Sequence, residues 1–196
     1  MGTTFDVRWW AALSGQQRFD DAAIPAAPST RAQGSAGATP ATRSLVAAGV
    51  QHVVHAYAHD PRAHAEGLRY AAEAAAALGG DPRRIFKTLV TEVDQKLVVA
   101  VVPAPAQLDL RALATAVRGK RAALAPAPVA ERATGYVLGG ISPLGQRRRL
   151  PTVIDSSALD HETVLVSAGR RGLDVELSPL ALISLTRATT ATIARG

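Results

Sequence analysis

The sequence predicts a mixed α/β (α+β) fold: one domain in which a mixed, mostly antiparallel, barrel-like β-sheet is flanked by helices. Three observations predict it. A chain of 196 residues supplies one core of ordinary domain size and not two comfortable ones. Short apolar runs with strand alternation recur along most of its length, interspersed with about four or five stretches of helical periodicity. These elements do not follow the regular strand–helix–strand alternation of a parallel sheet, and no internal repeat is evident.

The first segment stands apart. Residues 14–42, "SGQQRFDDAAIPAAPSTRAQGSAGATPAT", are rich in Ala, Pro, Gly, Ser and Thr and lack apolar periodicity, so they cannot bury enough surface to offset their ordering entropy. Residues 1–38 are expected to be a disordered extension, or upstream sequence from an over-long start; Trp9 and Trp10 are the features that argue instead for a docking segment. The folded domain is expected over residues 39–196. There, "TRSLVAAGV" reads as a short helix closed by Gly49, and "VQHVVHAY" alternates as a strand up to an Asp60-Pro61 turn. "GLRYAAEAAAALGG" combines strong helix formers with a Gly stop, and Pro82 starts a new approach. "RIFKTLV" and "KLVVAVVP" are two apolar β runs separated by a polar turn, "TEVDQ". "LDLRALATAVRG" has leucines at helical spacing, and "PAPVAERATG" is a Pro-initiated helix. "PTVID", "TVLVSAG" and "LDVELS" are further strands, and "PLALISLT" makes a last helix before a final apolar segment.

Composition narrows the function. The formal net charge is +6 with a pI near 10.5, and residues beyond 43 retain most of that surplus, which favours a polyanionic partner such as nucleic acid without proving one. There is no cysteine, so the chain has no thiolate nucleophile, no thiolate metal ligand and no disulfide. No apolar run approaches the roughly 20 residues that span a bilayer. The N-terminus also fails as an export signal, because Asp6 and Arg8 interrupt it, and a cytoplasmic location is expected.

The densest chemistry lies in "TGYVLGGISPLGQRRRLPTVID", residues 134–155. Read as a phosphate loop, "GGISPLG" lacks the required Lys-Ser/Thr, since Gln146-Arg147 stand there, and Pro151 prevents a clean following helix. Read as a serine elbow it is one residue too long, and Pro143 removes the N–H that would complete an oxyanion hole after Ser142. What survives is a Gly-Gly backbone open to close approach, or simply a tight turn. Arg147, Arg148 and Arg149 are either a phosphate-contacting edge or a solvated run. His52, His55, His59 and His64 lie close in sequence, but His52 and His55 face opposite sides of a strand, and no metal site is expected. Lys87 sits in an otherwise apolar strand, where it either snorkels to water or serves a site. Ser167 and Asp174 read equally as turn and cap residues.

In combination these pieces resemble a known family. "TPATRSLVAAGV", "HAYAHDP", "IFKTLV", "QLDLRALATAV", the 134–155 stretch and "VSAGRRGLDVEL" occur in the order seen in the YbaK family of bacterial Cys-tRNA(Pro) deacylases. The resemblance covers about residues 39 to 195, and it implies a trans-editing factor that hydrolyses cysteine mischarged on proline tRNA. Carried over by motif, it implies catalytic roles for Lys87, Gly139 and Gly140. It implies substrate contacts from Tyr57, Tyr70, Thr88, Ser142, Ser167 and Asp174, and tRNA contacts from Arg147, Arg148 and Arg149. Two departures stand out: Tyr70 takes the place of a phenylalanine after a short insertion, and Ala168 replaces the first glycine of "S-G-G". Ala168 is tolerable unless its backbone needs positive φ.

The implied route has the substrate's own thiol attack its ester carbonyl while the protein supplies orientation, with ordinary water attack as the other route. The implied partners are aminoacylated tRNA(Pro) and prolyl-tRNA synthetase; no cofactor and no metal are implied. Three other functions fit the sequence: a deacylase for alanine or serine on tRNA, a non-catalytic tRNA- or synthetase-binding module, and a regulatory or cell-surface role of the kind the resemblance implies for distant members.

Overall fold

The structure, a computed structural model, describes residues 38–57 and 81–196. Helix α1 (Pro40–Ala47) starts with a capping box between Thr39 and Thr42 and a proline in its first turn, and its end is followed by Gly49 at φ 64°. Thr39 also reaches across the fold, donating its Oγ1 proton to the Ala168 carbonyl at 2.5 Å. Strand β1 (Val53–Ala56) follows. The expected Asp60-Pro61 turn and the "GLRYAAEAAAALGG" helix lie outside the described residues, as do His59, His64 and Tyr70.

A 3-10 turn, Pro82–Arg84, feeds β2 (Ile85–Val93), and β2 pairs antiparallel with β3 (Lys96–Pro103). The polar turn expected at "TEVDQ" is shorter than the sequence suggested. Thr91, Glu92 and Val93 remain in the strand, and only Asp94 and Gln95, at φ 45° and 68°, make the reversal. Two consecutive left-handed residues match the right-handed twist of a tight hairpin, and side-chain polarity alone does not reveal that. Thereafter come β4 (Gln107–Leu108), α2 (Leu110–Ala116), β5 (Ala122–Leu124) and α3 (Ala127–Thr134). The strands β6 (Thr152–Asp155), β7 (Val164–Arg170) and β8 (Leu173–Leu177), the helix α4 (Pro179–Thr186), and β9 (Thr189–Ala191) and β10 (Ala194–Arg195) complete the order.

The main sheet runs β1-β8-β7-β2-β3-β6-β9, with β5 added to β2, and it is mixed. Neighbours β1–β8, β7–β8, β2–β3 and β2–β5 are antiparallel, whereas β2–β7, β3–β6 and β6–β9 are parallel. Its two faces differ. One carries Phe86, Val90, Val99, Val101, Ile154, Val164, Val166, Val175 and Leu177, packed against α1, α3, α4 and the loop that holds Tyr136, Ile141 and Leu144. The other carries Val98, Ala100, Val102 and Val153 under Leu113 and Ala114 of α2 and under Ile193. Each of the larger buried side chains here contributes roughly 1.5–3 kcal/mol relative to exposure, which fixes the register, because a one-residue slip would exchange the two faces.

Candidate active site

Only the β3/β6 half of the second face is covered by α2; toward β7, β8 and β1 it turns polar. Strict alternation puts Ile85, Lys87 and Leu89 of β2 on that face, opposite Phe86, Thr88 and Val90. The parallel register Ile85↔Leu165, continued by one step past Phe86↔Val166, sets Lys87 beside Ser167. Ser167 pairs with Asp174, and Asp174 pairs with His55. Paired residues share a face, so Lys87, Ser167, Asp174 and His55 form one row across four strands.

Tyr57 closes the row. Its backbone N–H extends the β1 ladder by bonding the Gly172 carbonyl at 3.0 Å, and its hydroxyl donates to Asp174 Oδ2 at 3.2 Å. The Tyr57 ring packs on Ile85, Ala104 and Leu165. Lys87 Nζ donates to the carbonyl of that same Ala104 at 3.1 Å. Ala104 therefore links the lysine to the tyrosine, and through it to the aspartate.

The electrostatics follow from burial. Desolvation lowers the Lys87 pKa, and among the described residues the ammonium makes no ion pair. Asp174 is buried, and desolvation pushes its pKa up to about 6, although the Tyr57 hydroxyl and nearby His55 pull it back. Glu176, one step along the same face, behaves differently. Desolvation raises it, yet hydrogen bonds from Thr163, His55 and Arg84 together outweigh that and its pKa is lowered. His55 Nε2 meets Glu176 Oε2 at 2.9 Å, and Arg84 pairs with Glu176 Oε1. Of the clustered histidines, the two in the described residues have separate partners, since His52 Nδ1 meets the Val50 carbonyl at 2.8 Å.

The loop after α3 packs on the other face of the sheet and reaches its β7–β8 end. Gly135 closes α3 in the left-handed conformation, Tyr136 is buried with its hydroxyl on the Leu144 carbonyl at 2.7 Å, and Val137–Gly140 form a turn. A Cβ on Gly140 would lie 3.1 Å from the backbone of Arg170 and Arg171, so this turn rests directly on the β7–β8 connection. A register shift between Ser167 and Arg170 shapes that connection. Gly169 takes φ 93° there, and a Cβ on it would lie 2.5 Å from Tyr136 Cε1. Ala168 is not among the positive-φ residues, so an alanine fits in place of the family's glycine.

Several expected site residues lie elsewhere. Thr88 is on the opposite face from Lys87, its buried Oγ1 without a hydrogen-bond partner, because neighbouring strand residues point opposite ways. Ser142 is fully buried; its Oγ accepts the Leu144 N–H at 3.2 Å and its carbonyl accepts Gln146 Nε2, so both oxygens are engaged within the loop. The Gly140 N–H donates to the Val137 carbonyl at 3.0 Å, which leaves Gly139 as the Gly-Gly member whose N–H is not used within the turn. Arg147 and Arg148 donate their backbone N–H groups to Thr134 and Ala133 at the end of α3, and Arg149 Nη2 donates to the Leu185 carbonyl. Their exposed side chains flank α3 and α4, on the far side of the sheet from Lys87. Sequence reasoning passed over Arg84, Glu176 and Tyr136, whose partners are distant in the chain. A separate groove of about 440 Å³ between α2 and β9 includes Asp109, Arg111, Thr115 and Thr192, but Asp109 is occupied in capping α2 and none of the row reaches it.

A face-specific row of Lys, Ser, Asp and Tyr, on a mixed sheet whose β7–β8 connection meets a glycine turn, is the arrangement to be placed in a class. Residues 65–185 match the aminoacyl-tRNA editing domain, and the chain belongs to that family. Among curated proteins it is similar to a protein of Enterococcus faecalis provisionally named Cys-tRNA(Pro)/Cys-tRNA(Cys) deacylase EbsC, at 44% identity over 114 residues, covering 57% of this chain and 69% of the relative. Among solved structures it is similar to one described as a provisional trans-editing enzyme for prolyl tRNA synthetase, with TM-score 0.67 and 25% identity, covering 81% of this chain and 99% of that one. It is also similar to the hypothetical protein APE2540, with TM-score 0.70 and 25% identity over 80% of this chain and all of the other. The mixed α/β architecture is the one these editing domains share. No helix among the described residues is long and apolar enough to cross a membrane.

Proposed function

We propose that this chain removes cysteine from mischarged Cys-tRNA(Pro), acting in trans, and that residues 39–196 are the unit that does so. The observation that supports it is the row of Lys87, Ser167, Asp174 and Tyr57 in a chain without a cysteine and with its loop serine buried. The row offers charge and shape, and no side chain in it is set up as a nucleophile.

In this reading the substrate's Sγ attacks its own carbonyl carbon. The C–O bond to the terminal ribose breaks, the proton lost by the thiol ends on the ribose oxygen, and a four-membered cyclic thioester leaves to be opened by water. Orientation of this kind is worth roughly 7–11 kcal/mol in well-aligned intramolecular reactions. Lys87 holds the terminal ribose or phosphate, and the Asp174 carboxylate, ionised above pH 6, holds the substrate's α-ammonium. The Gly139 N–H stabilises the developing oxyanion. Arg147–Arg149, remote from the row, would meet the tRNA body and not its 3′ end, and prolyl-tRNA synthetase would supply tRNA selectivity.

The test is deacylation of Cys-tRNA(Pro) before and after S-alkylation, beside Ser- and Ala-tRNA(Pro). Fast clearance of the free-thiol substrate alone is expected, since volume exclusion discriminates by only about 1–3 kcal/mol per missing group. Similar rates across the set would make the chain a general small-residue deacylase. Removal of residues 1–38 should leave the rate unchanged.

A further inference from the structure

The turn Val137–Gly140 carries the glycine N–H that the proposed reaction uses, yet only Gly140 of the turn is packed. Val137 and Leu138 are 55% and 50% exposed, and Gly139 is exposed too. The Gly140 N–H to Val137 carbonyl bond closes the turn, and Gly139 at its third position has φ 83°, as a type II turn requires. Types I and II differ mainly by a half-rotation of the central peptide, here Leu138–Gly139. Glycine at the third position makes both orientations sterically accessible.

One side chain fixes the choice, and a second anchors the peptide before it. Arg171, on the β7–β8 connection, donates Nε and Nη2 to the Leu138 carbonyl at 3.1 and 2.9 Å. Glu131, on α3, accepts the Leu138 N–H on Oε1 at 2.8 Å. In a trans peptide the C=O and the N–H point in opposite directions, so holding the Leu138 oxygen toward Arg171 sends the Gly139 N–H the other way. A guanidinium on that oxygen also polarises the same amide, which makes its N–H a stronger donor.

We infer that Arg171 is a positioning residue for catalysis: it locks and polarises the Leu138–Gly139 peptide so that the Gly139 N–H is presented to the developing oxyanion, while Glu131 holds the preceding peptide. The inference rests on the reading of Gly139 as that donor. Arg171 itself need not touch the substrate, which separates it from the phosphate-contacting arginines expected of a tRNA-binding protein.

The experiment compares wild type with Arg171→Ala and Arg171→Lys in the full chain, using Cys-tRNA(Pro). Expected for Arg171→Ala is a kcat lower by about 10- to 100-fold with KM within about twofold, the size of effect seen when a group supporting a reacting donor is removed. Arg171→Lys, which keeps a charge but not the fork, should recover part of the loss, and millimolar guanidinium should recover part of it in Arg171→Ala. The Gly139 amide proton and Cα chemical shifts, read without substrate, should move in Arg171→Ala. Unchanged Gly139 shifts would overturn the clamp, and a raised KM with kcat intact would make Arg171 a tRNA contact and overturn it equally. Moved shifts with unchanged kcat would overturn the donor role of Gly139 while leaving the wider deacylase reading standing. Should Arg171→Ala melt more than about 5 °C below wild type, Arg171→Lys carries the same comparisons.

Discussion

Asp174 is the residue whose cost to the fold can be measured apart from its use. Its carboxyl is buried on the row, and desolvation raises its pKa from 3.8 to about 6. Since one pKa unit corresponds to 1.36 kcal/mol, keeping it ionised in the fold costs about 3 kcal/mol. The sign follows from proton counting. Between pH 4 and 6 the folded state binds more protons than the unfolded chain, so this group's contribution is favourable below pH 4 and is lost as pH rises through 6. Asp174→Asn removes the charge, keeps an oxygen to accept the Tyr57 hydroxyl, and should remove that dependence. Denaturant unfolding of both proteins at pH 4, 5, 6 and 7.5 is the assay. The variant should match wild type near pH 4 and exceed it by about 3 kcal/mol at pH 7.5, or about 6–12 °C in melting temperature for a domain of this size. Deacylation should be lost in the same variant, a stabilisation gained at the expense of activity. A stability difference that stays flat across this pH range would show that Asp174 is solvated in the folded protein, and the account of the row would fail with it.

Other consequences are as specific. Lys87→Ala should lower kcat/KM by orders of magnitude while thermal unfolding shifts by only a few degrees, because Lys87 makes one hydrogen bond and no ion pair among the described residues; near wild-type deacylation would refute its role. Gly140→Ala should destabilise by about 1–3 kcal/mol and impair turnover, since the new methyl meets backbone at 3.1 Å and backbone cannot step aside. Asp155→Ala, away from the row, should be the structural counterpart. Its carboxylate accepts from Ser157 and from the Ile193 and Ala194 N–H groups, so its loss should cost about 2–4 kcal/mol in denaturant melts with the kcat of the surviving folded protein unchanged. Desolvation opposes its ionisation, but those hydrogen bonds prevail and lower its pKa, so the stability it contributes at neutral pH is lost as pH falls through the acid range.

What the sequence revealed and what it hid divide along a physical line. Features that depend on local spacing were legible: the alternation that isolates Lys87, the Pro and Gly bounds of α3, the proline start of α4. Roles that depend on pairing were not. Thr88 adjoins Lys87 in sequence and so seemed to share its site, but the pleat separates them. Ser142 carried a suggestive motif, yet only the folded loop shows its hydroxyl spent on the Leu144 N–H. Arg171 looked like one basic residue among many; its carbonyl partner lies 33 positions earlier in the chain. Arg147–Arg149 were conspicuous as a run, and a run says nothing of which side of a sheet it will occupy.

The sheet order has a consequence for how the protein comes into being. The β2–β3 hairpin closes through two residues and needs little chain entropy. By contrast, Arg84 must find Thr163 across 79 positions, and Tyr57 must find Asp174 across 117. Contacts that span such loops form late, after local structure has reduced their entropic cost. The hairpin that carries Lys87 can therefore exist well before the strands that give it neighbours. During refolding, secondary structure should return ahead of deacylation, and the two time courses should merge only in the slowest phase.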